Sequence, residues 1–371
     1  MIDIDIAEKI DEVVGEVNIV TFDMTFGEIV HLYEAEEFII QPEYQRLFRW
    51  TDEQKSRLIE SILLNFPIPQ IFVIERSDSV FELIDGLQRI SSVIQFMNPS
   101  ILKLGSTPDS FPPLVLQGCD LVKNLNGYTF EKLPLRLKLT IKRSAIRMVI
   151  IKKKSQDFLR YAMFKRLNTG GANLEPQEIR NCSARMMGDK GISFYTFLSE
   201  KAQHPSFKNC TKTLSRSARE KRGDEELVLR FFASKNAPGL FNENITDWLD
   251  DYMEKIILED NFEYEREETL FDKVFTFLEQ TMGEDAFIQY RDGNPYRDLA
   301  PTYYEAITVG TVRVLEKIQT LSHDTIKQKI VETVQSDLFK SYTGSGTSKQ
   351  SKLQGRIKTI EDALLELVEN E

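Results

Sequence analysis

Phe81–Met97 reads FELIDGLQRISSVIQFM. An apolar strand-like piece passes directly into a helix-like piece expected over 87–97, with Asp85 and Gly86 at the change of period. The corner itself needs an acid and a glycine. A helix start offers unpaired N–H groups and a positive dipole end, and Gly86 lets a ligand approach the backbone closely. Asp85–Gly86 is therefore expected to cap the helix and edge an anion site. Arg89, in the first turn, opposes the dipole unless an anion is bound there. Gln88 beside it can donate to a phosphate oxygen or orient a water. The same residues also read as a plain cap with Arg89 paired to an acid, and spacing alone leaves both readings open.

Upstream, Thr51 with Gln54 forms a capping box for a helix over 52–65, stopped by Pro67 and Pro69. QIFVIE and VFELI, joined by a polar turn, read as a hairpin whose second strand feeds the Asp-Gly corner. Before these, NIVTF is a short strand, and Thr25 opens a helix. Downstream, 98–135 reads as loops and short strands, and the alternation in 137–154 predicts a further strand of the same sheet. An amphipathic helix is expected over 155–168, and another restarts at Pro176. From about 223 onward the spacing is helical almost throughout. The fold class expected is α+β: a small mixed sheet with helices, followed by a mainly helical C-terminal domain. The expected division is a 1–155 α/β domain, a basic helical segment over 156–222 and a helical domain over 223–371.

The 371 residues carry a net charge of −11, and that total hides a pattern. Residues 121–222 hold 23 Lys/Arg against 7 Asp/Glu, whereas 1–120 hold 8 against 21. A basic middle third in an acidic chain suits a polyanion ligand, or pairs internally with its acidic flanks. Three cysteines and three histidines are scattered without metal-ligand or disulfide spacing, which disfavours a zinc site or a histidine-based nuclease centre. The acidic start lacks the basic region and apolar core of a signal peptide, and no run approaches the roughly 18 apolar residues of a membrane helix. A cytoplasmic protein with no membrane partner is expected.

Three further stretches carry candidate chemistry. PEYQRLFRW (42–50) interleaves arginines with aromatics, a pattern that stacks on bases while guanidinium groups reach phosphates. It equally describes a core segment with arginines reaching outward. FKRLNTGGANLEPQEIRN (164–181) places Arg166 and Asn168 before Thr169-Gly170-Gly171, where a helix C-cap explains the glycines but not the polar residues preceding them. KNCTKTLSRSAREKR (208–222) offers Lys212, Arg216, Arg219, Lys221 and Arg222 for DNA phosphate contacts, with a solvated linker as the alternative.

Taken together and in this order, these segments resemble the N-terminal domain of GmrSD-type restriction systems. The shared features are Tyr44-Gln45-Arg46 with Trp50, Asp85-Gly86-Leu87-Gln88-Arg89, and Phe164 to Asn181 with Arg166, Asn168, Thr169, Gly170, Gly171, Glu178 and Arg180. The resemblance covers roughly 20–225 and implies a ParB/sulfiredoxin-like fold. It also implies a pocket for a nucleoside triphosphate, with Mg²⁺ as its accompanying cation. One wall would be Tyr44, Gln45 and Arg46, the corner Asp85, Gly86, Gln88 and Arg89, and the third side Arg166, Asn168, Thr169, Gly170 and Gly171. Asp85, Gln88 and Arg89 are the catalytic candidates. Leu87 departs from the family pattern, which has a glutamine there, and that puts hydrolysis in question. The histidine count offers no His-Asn-His nuclease domain such as relatives often append.

The leading expectation is thus an NTP-binding, DNA-sensing component of a restriction or phage-defence system, working with a separate effector or nuclease protein. Whether it hydrolyses the nucleotide and whether it forms a homo-oligomer stay open. A DNA-binding or scaffolding protein with a vestigial pocket is the alternative. A nuclease built on the ParB-like domain ranks third, with Asp85 beside Glu43 or Glu82 as its carboxylates.

Overall fold

The computed structural model describes residues 6, 10, 18–40, 48, 50–76, 79–103, 111–152, 163, 166, 175–241, 244–291, 293–296, 298–344 and 349–369. The chain divides into two compact units, Met1–Asn173 and Leu174–Glu371, so the basic segment 156–222 is shared between them.

The first unit is built on a five-stranded mixed sheet. Its described elements are β1 (Ile19–Thr25), α1 (Phe26–Glu34), β2 (Phe38–Ile39), α2 (Asp52–Leu63), β3 (Ile71–Glu75), β4 (Phe81–Asp85), α3 (Leu87–Met97), α4 (Leu135–Arg143) and β5 (Ala145–Ile151). The strand order is β1-β5-β3-β4-β2. β1 runs antiparallel to β5, β5 parallel to β3, β3 antiparallel to β4, and β4 parallel to β2. Inward-facing Ile71, Val73, Leu83, Ile146, Met148 and Ile150 bury with Phe26, Ile29, Ile59, Ile90 and Ile94 from the helices. Alternation on the strands and helical spacing on α1–α3 thus meet in one core.

Several local expectations hold. Thr51 and Gln54 form both bonds of the capping box, and Thr25 accepts from the Glu28 N–H at the start of α1. β3 and β4 pair as the expected hairpin, with an irregularity between Phe72 and Val73. Two expectations are corrected. The front of 137–154 is helical, because Leu135–Arg143 forms α4 and only Ile141 of it is buried, so its alternation did not mark a strand face. The described part of 98–135 contains no strand. Residues 116–122 are instead pinned by α2: Ser56 Oγ accepts from Gln117 N–H at 2.9 Å, Arg57 donates to the Gly118 carbonyl at 3.1 Å, and buried Glu60 accepts from Leu121 and Val122 N–H at 3.1 and 2.6 Å.

The second unit is a helical assembly: α5 (Pro176–Met186), α6 (Gly188–Ala202), α7 (Pro205–Cys210), α8 (Arg216–Glu220), α9 (Gly223–Asn236), α10 (Ile245–Glu259), α11 (Tyr264–Met282), α12 (Pro301–Ile318), α13 (His323–Gln335), α14 (Asp337–Thr343) and α15 (Gln350–Glu369). A two-residue hairpin, β6 (Tyr290–Arg291) with β7 (Asn294–Pro295), is the only described departure from helix and loop. Phe231, Phe232, Phe271 and Phe275 form an aromatic core with centroid separations of 4.3 to 5.8 Å. α12 and α15 lie close because Gly310 has no side chain; a Cβ there would stand 2.8 Å from Ile360.

Candidate functional site

The Asp-Gly corner forms where β4 ends and α3 begins. Gly86, not Asp85, is the N-cap residue, with φ of 107°, and no side chain caps this helix. The left-handed backbone favours glycine, and a Cβ at this position would lie 2.4 Å from Ile71 Cγ2. The turn is therefore both conformationally and sterically closed to other residues. No acidic residue occupies the first turn of α3, so its N-terminal dipole is not offset locally.

Asp85, freed from capping, takes Arg89 instead. Arg89 Nη2 lies 2.9 Å from Asp85 Oδ2 and donates to the Gln70 carbonyl at 3.0 Å. These two acceptors hold the guanidinium over the helix start, while Arg89 Nε is buried without a hydrogen-bond partner. The irregularity that separates Phe72 from Val73 sits opposite Asp85, at the point where β4 delivers the carboxylate. Such bulges re-aim side chains at the ends of strands.

Gln88 makes the link that sequence reasoning did not foresee. Its Oε1 accepts from the Trp50 N–H at 3.1 Å, across 38 residues of chain. The end of the 42–50 segment is thereby fixed against the first turn of α3, and Trp50 is half-buried there. Phe48 adds to the same segment, with Lys55 Nζ 4.5 Å from its ring centroid and Phe111 edge-on at 6.4 Å. Gln70 and Ile71 are thus parts of the corner missed at the level of sequence, whereas Trp50 was singled out but not its main-chain bond to Gln88. The roles of Gln70 and Ile71 are main-chain and steric, and neither carries a side-chain signature.

Tyr44, Gln45, Arg46, Asn168, Thr169, Gly170 and Gly171 lie outside the described residues, as do most of 155–168 and Glu43. Arg166 is an exposed helical residue. Leu87 is half-buried beside Gln88. Among the described residues no group of three or more His, Cys, Asp or Glu side chains could hold a metal ion. A Mg²⁺ here would depend on phosphate oxygens and water, with Asp85 as the nearest carboxylate of the corner. Glu82, the other described carboxylate of the nuclease reading, lies 3.7 Å from Arg76.

The tail of the third motif proves to be scaffolding of the second unit. Glu178 Oε2 accepts from the Glu175 N–H at 3.0 Å, closing a capping box on α5. Arg180, only 2% exposed, binds Asp250 at 2.7 Å, Gln177 at 2.8 Å and Glu226 at 3.2 Å. From there, ion pairs run on through Arg230 to Glu305, at 3.0 and 2.9 Å, and from Glu305 to the buried Arg356. Burial works against charge on Glu226, yet Arg230 and Arg180 hold its carboxyl below the usual range. Glu225, which accepts from Asn181, goes the other way: burial raises it more than Arg222 lowers it.

The 208–222 stretch is folded rather than a linker, ending α7 and forming α8 and the approach to α9. Each of its five candidate DNA contacts is engaged within the unit. Lys212 pairs with Glu284, Arg216 with Glu220 at 2.8 Å, Lys221 with Glu175 at 2.6 Å, and Arg222 with Glu225 at 2.8 Å. Arg219 donates to the Thr211 carbonyl. The Arg216 side chain remains 92% exposed, so it keeps the greatest freedom to meet a phosphate.

Among known proteins, residues 26–184 match the family described as GmrSD restriction endonuclease, N-terminal domain. No curated protein and no solved structure matches the chain. The matched span begins at α1 and ends within α5, so it crosses from the first compact unit into the second.

Proposed function

We propose, from the match of residues 26–184 to the GmrSD restriction endonuclease N-terminal domain, that the protein is a nucleotide-binding, DNA-sensing component of a restriction or phage-defence system. The family match supports a restriction or defence role in general terms. The observation that carries it is the Trp50–Gln88 bond, which supports a shared pocket for the 42–50 and 85–89 segments. The start of α3 would receive phosphate oxygens on its first-turn N–H groups. Arg89, aimed by Asp85 and the Gln70 carbonyl, would neutralise their charge. Gly86 makes the tight turn that sets Asp85 and Arg89 at the start of α3. Gln88 is held at the same turn through its side-chain oxygen, which accepts from the Trp50 N–H. Leu87 supplies no amide to hold a water, which favours binding over rapid hydrolysis.

Calorimetric titration of ATP, GTP and CTP with Mg²⁺ into wild type and Arg89→Ala tests this. One nucleotide should bind wild type, with at least a tenfold loss in the variant, about 1.4 kcal/mol. Equal affinity in a folded Arg89→Ala protein overturns the pocket. Phosphate release with and without DNA then separates a switch from a hydrolase.

A second reading, a DNA-binding scaffold with a vestigial pocket, draws on the Asp85–Arg89 pair, since that guanidinium already has a carboxylate. It predicts salt-sensitive DNA binding that no nucleotide alters. In either case, replacing Lys212, Arg216, Arg219, Lys221 and Arg222 with neutral residues should lower both DNA affinity and its salt slope. Their internal pairing argues for a drop well short of five phosphate contacts.

A further inference from the structure

The two edges of the sheet are unlike. β2 is two residues long, a short edge that offers little to pair with. β1 is seven residues long, and Ile19 to Asp23 are all exposed, including Ile19 at 41%, Val20 at 43% and Phe22 at 38%. It carries no lysine and no proline, the usual devices that keep an edge from pairing. Its one charge, Asp23, is already taken by Arg147 on β5 at 3.0 Å.

Hydrogen-bond direction along β1 follows from its ends. Lys152 N–H donates to the Asn18 carbonyl and Phe26 N–H to the Ser144 carbonyl. Even-numbered residues between them therefore turn their N–H and C=O towards β5, in the register that pairs Phe22 with Met148. Ile19, Thr21 and Asp23 turn theirs to the free edge. Thr25 is committed to capping α1. The outward groups are thus centred on Thr21.

That arrangement is self-complementary. We infer that β1 pairs antiparallel with β1 of a second copy of this chain, about a two-fold axis at Thr21. Thr21 then faces Thr21 of the second copy, and Ile19 faces its Asp23, in hydrogen-bonded pairs making up to about six main-chain bonds. Val20 faces Phe22 of the second copy in the closer, non-hydrogen-bonded pairs, on the face where Met24 is already buried. Both exposed apolar side chains of that face are covered by each other. Like charges do not meet, because each Asp23 stands opposite an isoleucine. The interface is isologous and joins two five-stranded sheets into one.

The test uses the full chain in sedimentation equilibrium from about 1 to 100 µM, with a micromolar dimer expected. Thr21→Pro removes an N–H that points away from β5, so the internal ladder survives while dimer affinity falls tenfold or more. Oxidative cross-linking supplies an independent readout. Paired Thr21 residues would stand about 5.5 Å apart at Cα, within disulfide range. Thr21→Cys should yield covalent dimer, and Val20→Cys, which faces Phe22, should not. Cys119, Cys182 and Cys210 are buried and leave the background low. A chain that stays monomeric to about 100 µM overturns the inference, as does a dimer untouched by Thr21→Pro or equal cross-linking of the two cysteine variants.

Discussion

Replacing Arg180 with methionine should damage the helical unit rather than the nucleotide corner. The guanidinium is 2% exposed and donates to Asp250, Gln177, Glu226 and, at 3.4 Å, the Thr246 carbonyl. Methionine fills much of the volume but none of these bonds. It leaves the Asp250 carboxylate, 6% exposed, without its arginine. Breaking one side of a buried ion pair costs about 3–5 kcal/mol. For a unit of roughly 200 residues each kcal/mol lowers the melting temperature by about 2–4 °C, so a fall of about 6–20 °C is expected. Calorimetry, or circular dichroism at 222 nm, reads this directly. Adding Asp250→Leu removes the stranded carboxylate and should recover part of the loss. Nucleotide affinity, measured well below the melting point, should stay within twofold. A melting temperature within about 2 °C of wild type, or a selective loss of nucleotide binding, would refute the scaffolding role.

Gly86→Ala should destabilise the sheet unit by about 2–4 kcal/mol, combining left-handed backbone strain with overpacking against Ile71. Pairing it with Ile71→Ala should show a favourable coupling of at least about 1 kcal/mol in denaturant titrations, and simple additivity would count against the clash. Burial raises the Glu225 carboxyl above its ordinary 4.5, so ionising it costs the folded state. Wild type should therefore lose stability relative to Glu225→Gln as pH rises from about 4 towards 7, and a constant difference across that range would exclude the effect. Burial pushes the Cys210 thiol up to about 12. A thiol reagent at pH 8 should label it only as denaturant unfolds the chain; prompt labelling of native protein would contradict this.

What could be read from sequence follows from where each signal resides. The capping box at Thr51 and the β3–β4 hairpin announce themselves in a few adjacent residues, and both are present. The Leu135–Arg143 helix misleads because its leucines alternate on a surface where little is buried. Residues 116–122 take their form from Ser56, Arg57 and Glu60 some sixty residues earlier, a dependence that periodicity cannot express. At the corner, the Asp-Gly pair marked the turn, but which of the two caps the helix depends on Ile71 beneath Gly86. The bond from Trp50 to Gln88 uses a main-chain N–H, which every residue but proline carries. In the third motif, the spacing that suggested a pocket wall also served α5, whose arginine answers to partners at 226 and 250.

The ion pairs inside the helical unit alternate in sign along a line: Arg356, Glu305, Arg230, Glu226, Arg180, Asp250. They sit on α15, α12, α9, α5 and α10, of which only α9 and α10 follow one another in the chain. Any helix that slid by a turn, or exchanged places with another, would strand a charge in an apolar interior. The line therefore works as an address code for assembly, penalising wrong arrangements more than it deepens the right one. Exchanging all of these residues for apolar ones of like volume is expected to raise the melting temperature while admitting misassembled forms. Such a trade would matter most for a chain that must reach one arrangement at its first attempt, as it leaves the ribosome.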